Sequence, residues 1–190
     1  MKKFSWLLLG SVSLFVGSAC QAQQPAYKPD YRLTATVKDI MEAMVDPAAD
    51  VLWDSVATIV TVKGTEERAP KTDQEWAAVR HNAIMLVEAT NLIQIPGREV
   101  AKPGEQSENP KVELQPEEIA ILIGQDRQAW TALSNGLHEA AAEALKAIDS
   151  KNVQGLMNAG EKIDTACETC HLKYWYPISK QAAAQTKPKA

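Results

Sequence analysis

A short cysteine and histidine motif lies near the end of the chain. Cys167, Cys170 and His171 form a C-x-x-C-H string, with Glu168 and Thr169 between the cysteines. This spacing is the signature of covalent haem attachment, in which two thiols add across porphyrin vinyl groups and the imidazole binds iron. In a helix the three functional side chains lie at about 0°, 300° and 40° around the axis. They then face one way, so a single helical turn can hold one haem.

Other uses of this string agree less well with the rest of the sequence. A thioredoxin-like C-x-x-C calls for strands that alternate with helices, and strand signals are scarce here. A structural zinc site needs four ligands, whereas His81 and His138 are far from the motif along the chain. A disulfide between the two cysteines would leave His171 without a role. The motif therefore predicts one covalently bound haem c.

The first 19 residues have the features of a secretory signal. Lys2 and Lys3 form a basic start, an apolar stretch follows, and residues 17–19 are small, as a cleavage site requires. A helix needs about 20 apolar residues to span a bilayer, and this stretch is shorter. Because bacterial c-type haem is attached outside the cytoplasm, a periplasmic location agrees with the haem prediction.

The third cysteine, Cys20, follows the predicted cleavage point. Its position resembles a bacterial lipoprotein site, although Gly17 stands where a large apolar residue is usual. Cys20 is therefore a candidate for lipidation and membrane anchoring, and ordinary cleavage after Ala19 or Ala22 is the alternative. Residues 20–32 are polar and predict a tether.

The charge of the chain argues against one class of partner. Its 20 basic and 24 acidic residues give a formal net charge of −4 at pH 7, and removal of Lys2 and Lys3 makes the mature chain more acidic. Because nucleic-acid binding calls for a basic face, we expect no nucleic-acid partner. The about 170 residues after the signal suffice for one domain with its own core.

Four segments with helical spacing of apolar residues would position the motif. The first is predicted over 33–62, with a kink or local break at Pro47. Gly64 follows this segment and is expected to end the helix. The second starts at a cap formed by Thr72 or Asp73 and ends before Pro96.

A loop at 97–115, rich in proline, glycine and charge, separates the second segment from the third. The third helix is predicted from Pro116 to about Ile148. The fourth starts within 150–152, carries the haem motif and ends before Pro177.

These four amphipathic segments predict an all-α fold, an antiparallel four-helix bundle with covalently bound haem. The bundle would span 33–180, and a tail would follow at 181–190. Four tryptophans fall one in each predicted helix, where they would fill the core or line a haem pocket. They are Trp53, Trp76, Trp130 and Trp175.

A C-x-x-C-H motif close to the end of a four-helix chain resembles the class II c-type cytochromes, the cytochrome c-prime superfamily. Class I cytochromes c place the motif near the N-terminus and take a methionine from far downstream, whereas this chain has no methionine after Cys170. The resemblance covers residues 33–180. It implies one covalent haem in a four-helix bundle, and often a homodimer paired through the first two helices.

The resemblance also implies a choice at the sixth position of iron. High-spin members leave it open beneath an apolar residue and bind nitric oxide or carbon monoxide, whereas low-spin members supply a methionine from the first helix. Here Met41 and Met44 lie three residues apart on one helix face. Alignment with the low-spin branch favours Met41, with Met44 less favoured and core filling by both as the alternative.

Low-spin relatives commonly carry an arginine four residues before the ligand methionine, where this chain has Val37. Lys38 and Arg32 are then the candidates for a charge beside a haem propionate. Beyond the motif, Tyr174 and Trp175 are expected to pack beside the proximal face of the haem. His81 is expected at the surface, and a bis-histidine haem is disfavoured.

The expected function is that of a periplasmic monohaem carrier of single electrons between redox partner proteins. The alternative is a gas-binding protein with an open or easily vacated sixth position. An enzyme would need an acid–base pair over the iron, and the first helix offers Met41, Met44 and Ala48 there instead. We therefore expect no enzymatic activity.

Overall fold

Helices make up most of the chain in the computed structural model, which describes residues 30–185. The predicted signal at 1–19, Cys20 with its lipidation, and the end of the predicted tail lie outside these residues. The elements, in chain order, are α1 (Val37–Ile40), a π-helical turn (Met41–Val45), α2 (Asp46–Ser55), β1 (Ala57–Thr61), β2 (Gly64–Arg68), α3 (Asp73–Ile93), α4 (Pro116–Gln125), α5 (Arg127–Asp149), α6 (Val153–Tyr174) and α7 (Ile178–Gln185). None of the helices within the described residues is both long enough and apolar enough to span a membrane.

The first helical segment contains an irregular turn. Thr36 begins it, because its Oγ1 accepts from the backbone N–H of Asp39 and the Asp39 carboxylate accepts from the N–H of Thr36, both at 3.0 Å. The π-helical turn Met41–Val45 comes just before Pro47, which has no N–H and whose ring crowds the preceding turn. The local break predicted at Pro47 is therefore confirmed as a widened turn.

The prediction of a helix over 33–62 is wrong beyond Ser55, where an antiparallel hairpin follows. Thr61 lies opposite Gly64, so two residues form the turn. Gly64 has a φ of +129°, a conformation that glycine adopts more easily than residues with a Cβ. Residues 56–62 are rich in β-branched side chains, which favour strands, and the apolar spacing alone did not reveal this.

Capping side chains set the starts of the long helices. The predicted cap of α3 is confirmed, because Oγ1 of Thr72 accepts from the N–H of Glu75 at 3.2 Å in a reciprocal capping box. The single helix predicted over 116–148 is instead two helices. Asp126 leaves the helical conformation, and its carboxylate accepts from the N–H of Ala129 at 2.9 Å to begin α5.

The long helical segments contact one another in cyclic order. Helix α3 packs against α2 and α5, α5 packs against α6, and α6 returns to α2. Across this last contact, Nε1 of Trp53 donates to the carbonyl oxygen of Gly160 at 3.0 Å. The largest side chains that are almost completely buried between the segments are aliphatic, namely Ile40, Leu52, Leu86, Leu156 and Ile163.

The tryptophans divide into two kinds. Trp76 and Trp130 are buried, as expected for core residues, whereas Trp53 and Trp175 are more than a third exposed. Trp175 is the C-terminal cap of α6, so it lies where the chain leaves the helix that carries the motif. Only two of the four tryptophans therefore serve as buried core.

Candidate functional site

Helix α6 presents the cysteine and histidine motif in its last two turns. Oδ1 of Asn152 accepts from the N–H of Gly155 at 2.9 Å and starts the helix. Cys167, Cys170 and His171 are all half-buried, and neither thiol forms a disulfide. The motif lies on a helix, as expected, but only Cys170 and His171 line the same cavity, so the structure does not show all three side chains facing one space.

A cavity of about 390 Å³ lies beside the motif. Its wall is formed by α1, the π-helical turn and the start of α2, by the loop between α3 and α4 with the start of α4, by α5 and by the end of α6. A volume of this size is within the range of small-molecule and cofactor pockets. The lining includes Met41, Trp130, Cys170, His171, Tyr174 and Trp175.

The structure separates the two candidate methionines. Met41 lines the cavity together with Cys170 and His171, whereas Met44 is half-buried against the core and does not line it. Cys167 likewise packs against the core outside the lining. The chain therefore brings one thioether, one imidazole and one thiol to the same space.

The other histidines lie elsewhere. His81 is exposed on α3, as expected. His138 of α5 has its Nδ1 at 2.8 Å from Oγ1 of Thr90 and at 3.2 Å from the carbonyl oxygen of Val87. These contacts place His138 in a polar junction between α5 and α3 and not in the lining of the cavity.

The loop between α3 and α4 forms backbone hydrogen bonds on both sides of the cavity. At the start of α1, the N–H groups of Val37 and Lys38 donate to the carbonyl oxygens of Glu99 and Val100, each at 2.9 Å. At the end of α6, the carbonyl oxygen of Trp175 accepts from the loop at 2.7 Å. The first contacts satisfy N–H groups that a helix start leaves without partners. The loop thus forms a fixed wall between the two helices that carry the candidate ligands.

The electrostatics of the site favour neutral donor groups. Burial raises the pKa of the Cys167 thiol to about 12 and the pKa of the Cys170 thiol to about 11. Burial lowers the pKa of His171, and the carboxylates of Asp46 and Glu168 partly oppose that effect. At neutral pH the imidazole is therefore neutral, which is the form that binds a metal.

Two aromatic side chains contact the ring of His171. The Trp175 ring lies edge-on at 4.9 Å between ring centroids, with an interplanar angle of 89°. Oη of Tyr176 lies 3.4 Å from Nδ1 of His171 and donates to Oε2 of Glu168 at 2.6 Å. Sequence spacing did not reveal Tyr176, because the helix ends between it and the motif and helical periodicity no longer applies.

Tyr174 has a buried hydroxyl group without a hydrogen-bond partner in the described part of the chain. Its side chain is 3% exposed, lines the cavity, and meets Trp130 edge-on at 5.2 Å between ring centroids. A buried hydroxyl without a partner costs about 1–3 kcal/mol. Its position therefore fits a cavity that holds a bound group.

Lys38 and Arg32, the candidates for a propionate contact, differ in position. Lys38 lines the cavity, and its Nζ lies 3.6 Å from Oε1 of Glu42. Arg32 is exposed and is not part of the lining. Of the two, Lys38 has the geometry to contact a charged group in the cavity.

The residue types at the site are those that hold haem c, with Cys170, His171 and Met41 in the cavity lining and Cys167 beside it. Within residues 30–185, no three His, Cys, Asp or Glu side chains cluster as ligands for a bare metal ion. A haem iron takes four ligands from the porphyrin, so the protein supplies only the axial pair and the thiols of attachment.

Comparison with protein-family models, with curated proteins and with solved structures gives no match to this chain.

Proposed function

We propose that this chain is an exported class II c-type cytochrome, an antiparallel four-helix bundle that carries single electrons. The observation that carries the proposal is the meeting of Met41 and His171, from the first and last long helical segments, in one cavity beside Cys170. A thioether and an imidazole are the axial pair of many electron-carrying haems. The cyclic contacts of α2, α3, α5 and α6 support the bundle.

The proposed cofactor is a single haem c held by four side chains. Cys167 and Cys170 would each hold the haem through a thioether, formed by addition of S–H across a vinyl group with sulfur on one vinyl carbon and hydrogen on the other. His171 and Met41 would bind the iron, with Met44 the less favoured alternative to Met41. The bound haem supplies a ferric/ferrous couple that takes up and releases one electron.

The surrounding residues suit a carrier better than an enzyme. Trp130, Tyr174 and Trp175 line the cavity and give it an aromatic wall. With His171 and Met41 both bound to iron, the haem would have no open coordination position for a substrate. A thioether–imidazole pair also favours the ferrous state more than two imidazoles do.

The proposed location is the periplasm, and the proposed partners are redox proteins. Carboxylates of Glu42, Asp46, Glu108 and Glu113 line the cavity, against one lysine, Lys38. This excess of negative charge suits a partner with a basic docking face. Lipid anchoring through Cys20 and pairing into a homodimer belong to the same proposal.

The axial ligand is tested by spectra of the haem-loaded protein. Absorption and electron paramagnetic resonance spectra are recorded in both oxidation states for wild type, Met41→Ala and Met44→Ala. We expect low-spin iron in wild type and Met44→Ala, and high-spin ferric iron in Met41→Ala, because only Met41 lines the cavity. The two variants remove the same side chain three residues apart, so each controls for the other.

Two outcomes would contradict this assignment. A high-spin ferric wild type whose reduced form binds carbon monoxide rapidly and stoichiometrically would overturn the carrier and support the gas-binding alternative. Loss of low-spin iron in Met44→Ala alone would move the sixth ligand to Met44.

A further inference from the structure

We propose that Tyr176, held by Glu168, is a positioning residue for His171: its hydroxyl oxygen accepts a hydrogen bond from Nδ1–H and leaves Nε2 to ligate iron. The inference rests on the proposed function, because it concerns the ligand of the proposed haem. It assigns to two side chains a role in the orientation and electron density of the proximal imidazole.

The direction of the hydrogen bonds follows from the distances. Oη of Tyr176 lies 2.6 Å from Oε2 of Glu168, a short contact in which the hydroxyl donates its only hydrogen to the carboxylate. Its lone pairs then face Nδ1 of His171 at 3.4 Å. A hydroxyl in this state can only accept, so the imidazole that satisfies it carries its hydrogen on Nδ1. That tautomer has its free lone pair on Nε2.

The backbone holds Tyr176 at this position. Helix α6 ends at Tyr174, and the N–H of Tyr176 donates to the carbonyl oxygen of His171 at 3.0 Å. The carbonyl oxygen of Tyr176 accepts from Nε2 of Gln181 at 2.6 Å. Pro177 follows directly and cannot continue the helix. The residue is thus tied to the motif through its backbone as well as through its side chain.

The other neighbours of the imidazole do not offer the same contact. Trp175 meets it edge-on, and an indole N–H donates but does not accept. Asp46 acts on His171 through its charge, and the described residues contain no hydrogen bond between the two side chains. Tyr176 is therefore the acceptor in position for Nδ1.

The consequence for the proposed haem is a change in reduction potential. A partner that accepts from Nδ1–H fixes the ring orientation of a ligating histidine and raises its basicity. The Glu168 carboxylate strengthens this effect, because it increases the negative charge on the tyrosine oxygen. A more basic imidazole stabilises ferric iron, so the pair lowers the potential of the haem.

The test compares Tyr176→Phe, Glu168→Gln and the double variant with wild type as haem-loaded proteins. We expect Tyr176→Phe to raise the ferrous-to-ferric ratio at a fixed potential by about tenfold, which corresponds to about 59 mV for one electron. Glu168→Gln should shift the reduction potential in the same direction by a smaller amount. Because Glu168 acts partly through Tyr176 and partly through its own charge on His171, Glu168→Gln should shift the potential less in the Tyr176→Phe background than in wild type. Midpoint potentials from spectroelectrochemistry provide the readout.

Tyr31→Phe is the matched control, because Tyr31 is 56% exposed and lies outside the site. It should leave the potential unchanged. A potential of Tyr176→Phe equal to that of Tyr31→Phe, in proteins that carry haem, would overturn the inference alone. A wild-type protein without covalent haem would overturn the proposed function together with it.

Discussion

The two ends of the helical assembly are packed differently. Where α5 turns into α6, Ile148, Leu156 and Ala159 are almost completely buried. At the other end of α6, Cys167, Cys170 and His171 are only half-buried and border a cavity. We call these the closed end and the open end. The same helices are therefore tightly packed at one end and border a cavity at the other.

A residue without a side chain permits close packing of α6 towards the closed end. At the closed end α6 carries glycine at position 160, and a Cβ there would lie 3.1 Å from Cδ1 of Trp53, tighter than ordinary contact. At the open end the side chains are larger, and a loop fastened to Val37, Lys38 and Trp175 completes the wall. The absence of a side chain at Gly160 thus permits the close approach of Trp53 of α2 to α6.

The largest expected effect on stability is that of Leu156→Ala at the closed end. Leu156 is 1% exposed, and loss of a buried leucine side chain typically costs about 2–5 kcal/mol because a cavity remains. Urea unfolding of the haem-loaded protein measures the free energy of unfolding. The optical spectrum of the folded variant should match that of wild type.

For Met41→Ala at the open end we expect effects opposite to those of Leu156→Ala. It removes a half-buried side chain at the open end, so we expect a smaller loss of stability and a large change in the ferric spectrum. If Leu156→Ala altered the spectrum and Met41→Ala did not, the division into a closed end and an open end would be wrong.

A smaller effect is expected from Asn152→Ala, which removes the N-cap of α6. The Asn152 side chain accepts from the N–H of Gly155 at 2.9 Å, and loss of such a cap costs about 1 kcal/mol. Asn158→Ala is the control, because Asn158 is exposed on the same helix and does not cap it. Thermal and urea unfolding should show destabilisation in the first variant only. Equal destabilisation of both would argue against the cap.

The smallest expected effect is a pH dependence at the start of α3. The N–H groups of Lys71 and Thr72 donate to the Glu75 carboxylate and lower its pKa from the usual 4.5. A group with a lowered pKa stabilises the folded state above its unfolded pKa, and this contribution disappears as the pH falls through the folded pKa. Wild type should therefore exceed Glu75→Gln in urea midpoint at pH 7, and the difference should vanish in acid. A difference that persisted unchanged in acid would contradict the charge effect.

Local signals in the sequence predicted much of the helical framework. Thr72 with Glu75 predicted the start of α3, because capping depends on residues three positions apart. The start of α6 was predicted within 150–152, and the structure shows Asn152 as its cap. The spacing of Cys167, Cys170 and His171 on one helix followed equally from local geometry. Each of these features depends on side chains within one or two turns.

The features that the sequence did not reveal depend on contacts between distant residues or on a choice between two local patterns. Residues 56–62 carry apolar spacing compatible with a helix, yet their β-branched side chains and the turn at Gly64 favour a hairpin. The loop is held against α1 and the end of α6 by backbone hydrogen bonds, and the pattern of side chains in the sequence does not reveal such bonds. The contact of Tyr176 with His171 depends on the direction in which the chain leaves α6.

The most direct test of the account is the mass of the exported, matured chain with peptide mapping of the motif. We predict an added mass of one haem, carried by the peptide that contains Cys167 and Cys170 and lost in the double variant Cys167→Ala/Cys170→Ala. A matured wild-type chain without added haem, from cells in which another c-type cytochrome is fully loaded, would contradict it.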